Sequence, residues 1–296
     1  ATTASGWMRV MPSAPSGQRY TGTKTIVASF AQRAASYLIC LFDHGTAELK
    51  SLLDGNRITG LRTAATAAVA VSALVGDEPL DVAVIGSGFE ARGTLRAVAH
   101  VAQLRSIRVF SPTPANRTVF ATEMSAELGI PVQAVDGARE AVEGARLVLC
   151  AARSYTEEPT VESEWVAEGT TIVSIGSTTP SQRELDTALI GRAHLIVADM
   201  PSEVIHDTGD MIAARDAGIQ VGDVTVSLAD FLGRDPGAPE GGGAPEGGGA
   251  PEGAITIYKS TGSGFQDIVL ASYLYERALE RGLGTTLPVT IAPVAK

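Results

Sequence analysis

The spacing of apolar positions changes character several times along this chain. Between residues 8 and 53 apolar and polar positions alternate in short runs. Met8-Arg-Val-Met, Lys24 to Phe30 and Ala35 to Phe42 read as strands, Asp43-His-Gly as a hairpin turn, and Ala47 to Leu53 as the return strand. Thr59 to Val75 is rich in alanine with no breaker after Gly60 and predicts a helix. From residue 80 to 200 the pattern is different. Short, continuous apolar runs at 82–85, 107–110, 132–135, 147–151, 171–175 and 195–198 alternate with helical segments, among them 115–128, 138–143 and Asp186 to Arg192. Strands that are apolar on both faces and separated by helices predict a parallel, doubly wound α/β sheet. Residues 203–217 read as helical and Leu228 to Leu232 as a short helix or turn. Ala254-Ile-Thr-Ile-Tyr reads as a strand, and Phe265 to Arg281 as an amphipathic helix able to pack back onto the N-terminal part.

Composition narrows the classes. A 296-residue chain with 45% hydrophobic residues can bury a sizeable core, in one large domain or two ordinary ones. Its net charge of −10 argues against a broad nucleic-acid footprint but not against small anionic ligands. Cys40 and Cys150 sit in apolar runs, imply no disulfide framework and suggest a cytoplasmic setting. No apolar run has membrane-spanning length, and the start of the chain lacks a basic segment followed by an apolar one. Residues 237–253 repeat Gly, Ala, Pro and Glu, too polar to offset their ordering entropy, and predict a flexible acidic loop.

The candidate chemistry starts at Val82-Ala-Val-Ile-Gly-Ser-Gly-Phe-Glu-Ala-Arg-Gly93. A buried strand runs into Gly86, Ser87 and Gly88, and then into a helix opened by Phe89, Glu90 and Ala91. Free N–H groups and the positive end of the helix dipole make such a turn a pyrophosphate seat, so this stretch predicts a dinucleotide site. NAD-specific sites place an Asp or Glu at the end of the second strand to accept from the ribose 2′-hydroxyl. Here the strand ends in Arg108-Val-Phe-Ser-Pro-Thr-Pro-Ala-Asn-Arg117. Ser111 and Thr113 offer hydroxyls and Arg117 a cation, which favours NADP(H) over NAD(H). Arg117 is also readable as a solvated helix residue.

Two further cations stand out. Lys24 lies inside a strand pattern and Arg62 near the start of the alanine-rich helix. Each alone reads most simply as a surface residue. Together they would hold an amino-acid carboxylate, Arg62 by its bidentate fork and Lys24 by a compact charge that can also move a proton. The four histidines show no metal-ligand spacing, and there is no HExxH or paired-cysteine motif, so no catalytic metal is expected. Asp267 reads as a structural acid in preference to a catalytic one.

Several motifs occur in a telling order. These are Gly22-Thr-Lys24, the run from Leu53 to Ala67 containing Leu61-Arg-Thr-Ala-Ala, the Gly86 turn, Gly176-Ser-Thr-Thr-Pro-Ser-Gln-Arg-Glu-Leu-Asp186, and Lys259-Ser-Thr-Gly262 followed by Gln266-Asp267. The chain resembles the ornithine cyclodeaminase/mu-crystallin family from about residue 8 to 288, outside the Gly-Ala-Pro-Glu tract. The resemblance implies two domains: a Rossmann domain at 77–236 and an α+β substrate-binding and dimerisation domain at 1–76 and 254–296. It implies a homodimer and an NAD(P)-dependent reductase, dehydrogenase or cyclodeaminase acting on small α-amino or α-imino acids. By motif, Lys24 and Arg62 would grip the substrate carboxylate and Thr63 a cofactor phosphate. Ser260 and Gly262 would lie near the nicotinamide.

Two departures qualify this. Alignment on Pro180 puts Thr178 where cyclodeaminase members carry an acid, and a threonine cannot act as a carboxylate base. Members also usually carry a substrate-binding arginine ahead of the point where this sequence starts, and the offset of Arg9 does not match it. The leading expectation is therefore reduction of a small α-imino acid, or α-keto/α-amino acid interconversion. The alternatives are a cyclodeaminase using NAD catalytically and a non-catalytic NADPH-binding protein.

Overall fold

The computed structural model describes residues 1–152, 154, 158–233, 253–288 and 291–294. The Gly-Ala-Pro-Glu tract lies outside them, apart from Gly253. In chain order the elements are β1 (Gly6–Ser13), β2 (Tyr20–Ser29), β3 (Ala34–Asp43), β4 (Leu49–Asp54), α1 (Gly55–Leu74), β5 (Leu80–Ile85), α2 (Phe89–Ala99), β6 (Leu104–Phe110), α3 (Pro114–Leu128), β7 (Val132–Ala134), α4 (Ala138–Val142) and β8 (Leu147–Cys150). They continue with β9 (Thr171–Ser174), α5 (Thr187–Arg192), β10 (Ala193–Ala198), α6 (Pro201–Asp207), α7 (Gly209–Asp216), β11 (Thr225–Ser227), α8 (Leu228–Leu232), β12 (Ile255–Lys259) and α9 (Gly264–Glu280).

The chain divides into two compact units, Ala1–Arg62 with Gly262–Lys296, and Thr63–Thr261. The first unit is an antiparallel sheet, β1-β2-β3-β4, with α9 packed against its first three strands. Alternation sorts its faces as period two demands. Tyr20, Ile39 and Leu41 point inward and meet Ile58, Ile268 and Ala271. Lys24 occupies an inward position of β2 and is almost wholly buried. A capping box starts α9: Ser263 Oγ accepts from Gln266 N, and the Gln266 side chain accepts from Ser263 N.

The second unit is an eight-stranded, entirely parallel sheet in the order β11-β10-β12-β9-β8-β5-β6-β7. The sheet separates two cores, one per face. Ala83, Ile85, Val148, Ile172, Ile196 and Ile257 pack with α4 to α7, whereas Val82, Val84, Leu149, Val173, Val197 and Tyr258 pack with α1, α2, α3 and α8. The strand order reverses direction at β5, between β6 and β8. That is where a doubly wound sheet opens a crevice at its carboxyl edge.

Three expectations shift. The 254–258 strand, assigned with the C-terminal helix, is β12 and inserts between β9 and β10. All five of its residues are buried, which fits the middle of a two-sided sheet and not a half-exposed one. The boundary between units also falls inside α1, at Arg62/Thr63, and not at residue 76. The helical stretch expected at 203–217 is resolved into two helices. Thr208 is extended (φ −101°, ψ 136°) and its hydroxyl donates to Val204 O at 2.7 Å, so α7 restarts with Asp210 in its first turn.

Candidate active site

At the carboxyl edge of β5 the chain turns sharply. Gly86 has φ +112°, and a Cβ there would stand 2.7 Å from the Ala151 carbonyl, so only glycine fits. Its N–H donates to Phe110 O at 2.8 Å. Gly88 caps α2 without a side-chain bond, and a Cβ there would meet open space. Ala91 is fully buried, Phe89 is exposed, and Glu90 stands in the first turn of α2. Ser87 Oγ donates to Ser111 Oγ at 2.8 Å and ties this turn to the end of β6. A cavity of about 450 Å³ opens here, lined among others by Ile85, Gly86, Ser87, Phe110, Ser111 and Ala152. The uncapped helix start, the cavity and the open space beside Gly88 fit a dinucleotide pyrophosphate.

Arg117 does not stand at this edge as a solvated cation. It is buried, donates to Ser111 O at 3.0 Å, pairs with Asp136 and lies over the Phe110 ring at 5.7 Å. Thr113 caps α3 with no side-chain bond to that helix. Thr63 is buried on α1, one residue after Arg62.

The first unit holds a dense charge cluster. Asp267, fully buried on α9, pairs with Lys24 through Oδ2 and accepts from Arg62 Nε at 3.1 Å through Oδ1. Arg62 Nη1 also donates to Gln266 Oε1 at 3.2 Å. Gly262 (φ +76°) lies flat against Arg62, and a Cβ there would overlap the guanidinium. Arg9 is set on the inner face of β1, where Met11 is the register partner of Lys24 and Arg9 that of Ile26. Burial and the neighbouring Arg62 push the Lys24 ammonium below the ordinary lysine value, with Asp267 opposing and Arg9 adding to the shift. Two buried cations thus share one carboxylate, with a third cation nearby. Cations in excess at a dry site suit an anionic ligand.

The remaining expected residues lie elsewhere. Thr178 follows β9, and its N–H and hydroxyl both face Gln182 Oε1, at 3.2 and 3.4 Å. Ser260 donates to Asp199 Oδ2 at 2.6 Å, while Thr261 N donates to Oδ1 at 3.1 Å. Gly262 meets Arg62 and so belongs with the cation cluster.

Sequence reasoning missed a second buried network, in the second unit. Lys259, Asp210, Glu184 and Ser174 are all fully buried. Lys259 Nζ donates to Asp210 Oδ2 at 2.5 Å and to Ser174 Oγ at 2.9 Å, and Ser174 donates on to Glu184 Oε2 at 2.7 Å. Burial raises the Glu184 carboxyl above its usual value. A lysine closing an otherwise apolar strand was the available signal.

With this geometry in hand, likeness to known proteins becomes informative. The family model for the ornithine cyclodeaminase/mu-crystallin family matches residues 1–282. The chain belongs to that family. Among curated members it is 27% identical over 281 residues to a Delta(1)-pyrroline-2-carboxylate reductase of Bacillus cereus, covering 93% of this chain and 82% of the relative. It is 29% identical over 255 residues to the iminosuccinate reductase of Paracoccus denitrificans, covering 85% and 73%. Among solved structures of the family it superposes on the Thermococcus litoralis Delta(1)-pyrroline-2-carboxylate reductase, determined in complex with NADH and L-proline. The TM-score is 0.77 with 28% identity, over 95% of this chain and 90% of that one.

Proposed function

We propose that this family member is an NAD(P)H-dependent reductase of a small α-imino acid, with α-keto/α-amino acid interconversion as the related reaction. The observation that carries this is the pairing of two buried cations, Lys24 and Arg62, with a single carboxylate, Asp267. Such a cluster gains most from a second carboxylate, and an imino acid supplies one. The names of the relatives, reductases of pyrroline-2-carboxylate and iminosuccinate, support the same substrate class.

When bound, the reduced nicotinamide supplies a hydride to the imine carbon. Arg62 is the planar donor fork for the substrate carboxylate, held in direction by Asp267 and Gln266. Lys24 is a second contact and the proton source for the imine nitrogen. Its lowered affinity for the proton makes it a better acid than a surface lysine. C=N thereby gains one hydride and one proton and becomes the amine.

For the cofactor we favour NADP(H). Strand β6 ends at Phe110 with Ser111 next, so no carboxylate stands there to repel a 2′-phosphate. Dissociation constants for NADPH and NADH compare the two directly. We further propose a cytoplasmic homodimer. The outer face of β1 to β4 presents Met8, Val10, Val27, Leu38 and Leu52, each 43–52% exposed, which favours a second copy. Light scattering reads the mass. The catalytic reading is tested by NADPH oxidation with cyclic imino acids and with keto acid plus amine. Turnover on a cyclic imine supports it, and dinucleotide binding without turnover on any of them sinks it.

A further inference from the structure

We propose that Glu184 is a positioning residue for the dinucleotide site, acting through the backbone of Ala152 and Gly176 and anchored from behind by Lys259. This rests on the dinucleotide reading of the Gly86 turn. Three strand ends meet here backbone to backbone. Gly86, after β5, lies against the Ala151 carbonyl, where a Cβ would come within 2.7 Å. Gly176, after β9, lies against the Ala152 carbonyl, where a Cβ would come within 2.5 Å. Ala151 and Ala152 themselves line the cavity. The middle segment is therefore clamped between two glycines, and its position sets the room beside the pyrophosphate turn.

Glu184 fixes that segment. Its Oε1 accepts from Ala152 N at 3.0 Å, and its Oε2 accepts from Gly176 N at 2.8 Å and Ser174 Oγ at 2.7 Å. One carboxylate thus staples the ends of β8 and β9 together. The staple is itself held. Asp210 Oδ1 accepts from the backbone N–H groups of Glu184 and Leu185 at 2.7 and 3.1 Å, and Asp210 Oδ2 meets Lys259. Lys259 reaches Glu184 a second way, through Ser174. A buried carboxylate is costly, and apolar packing alone would hold a sheet. Here the carboxylate serves backbone donors of two loops that apolar side chains cannot satisfy.

The test measures dinucleotide affinity by NADPH fluorescence, alongside thermal unfolding, in Glu184→Gln, Glu184→Ala and Ser174→Ala. Gln keeps the reach and one acceptor oxygen, while Ala leaves both backbone donors unsatisfied. The expected result is a graded rise in Kd, about threefold for Gln and at least about tenfold for Ala, since an orphaned buried donor costs of the order of a tenfold change in an equilibrium. Ser174→Ala keeps both backbone bonds but loosens the anchor, and a rise of about twofold is expected. It serves as the readout if the Glu184 variants do not fold. A structural role alone would lower the melting temperature and leave Kd of the folded protein unchanged. That result in the folded Glu184 variants overturns the proposal, as does an unchanged Kd in Ser174→Ala should those variants not fold. If the wild-type protein binds neither NADPH nor NADH, the dinucleotide reading fails as well, which separates the two.

Discussion

The two units each bury a lysine, and they treat it in opposite ways. Lys259 in the parallel sheet faces Asp210 and Ser174, with Glu184 beyond, and the carboxylates of that network outnumber its cation. Lys24 in the antiparallel sheet shares Asp267 with Arg62, and there the cations outnumber the carboxylate. In the first case the oxygens accept from backbone N–H groups of adjoining loops, so the charge is spent inside the fold. In the second, both cations turn to the one Asp267 carboxylate, and Arg62 donates also to the Gln266 side chain. Burial without charge balance is expensive. It persists where a ligand completes it, which is why the cation-rich cluster reads as the substrate grip and the carboxylate-rich one as scaffold.

The largest effect expected from breaking this contrast comes from removing one carboxylate in each cluster. Asp267→Ala and Asp210→Ala should each destabilise by about 3–5 kcal/mol, the first because it strips the shared carboxylate from two buried cations, the second because it removes the direct partner of Lys259 and the acceptor of two buried backbone N–H groups. Urea unfolding measures it. A carboxylate ligand such as L-proline should restore part of the loss in Asp267→Ala and none in Asp210→Ala. Equal rescue of both would erase the distinction.

Replacing the lysines comes next. Lys259→Met strands Asp210 and Glu184 and should cost about 3 kcal/mol. Lys24→Met leaves Arg62 with Asp267 and should cost less than about 1 kcal/mol while abolishing reduction of an imino acid. Denaturation and turnover assays on the same preparations give both numbers.

A pH effect should separate the clusters more finely. The folded Lys24 ammonium loses its proton at lower pH than the unfolded one. The unfolded chain then binds more protons between those two values, so this residue makes stability rise with pH there. A bound carboxylate favours the charged lysine, so ligand affinity should fall as pH rises through the lowered Lys24 value. Isothermal titration over a series of pH values reads this, and Lys24→Met should flatten the dependence. The smallest change is expected at Asp136→Ala. That carboxylate is 94% exposed, so its pairing with Arg117 should contribute no more than about 1 kcal/mol.

How much of this was legible follows from where the signals are local. The Gly86 turn and the six strand runs from 82 to 198 are written in contiguous residues, and the sheet forms as they predict. The likeness of Leu61-Arg-Thr-Ala-Ala to the family drew attention to Arg62, and the structure buries it on α1 against Asp267. The cation partners of Asp267 were not legible. Asp267 stands 205 residues from Arg62 in sequence, and helical spacing alone cannot say that its side chain meets two cations. Strand β12 was assigned by its neighbours in sequence, but parallel sheets order strands by crossovers, not adjacency. Arg117 looked outward because α3 begins beside it, whereas its fork turns back to the Ser111 carbonyl.

The central claim is that a cation-rich grip and a dinucleotide seat are separate functions of the two units. The most direct test compares wild type with Arg62→Ala in two assays: NADPH binding, and NADPH oxidation with a cyclic imino acid that wild type reduces. We expect kcat/KM to fall by at least about a hundredfold in Arg62→Ala, the scale of a lost bidentate charge-assisted pair, with Kd for NADPH changed by less than about twofold. Wild-type turnover in Arg62→Ala, or parallel loss of NADPH binding, would contradict the account.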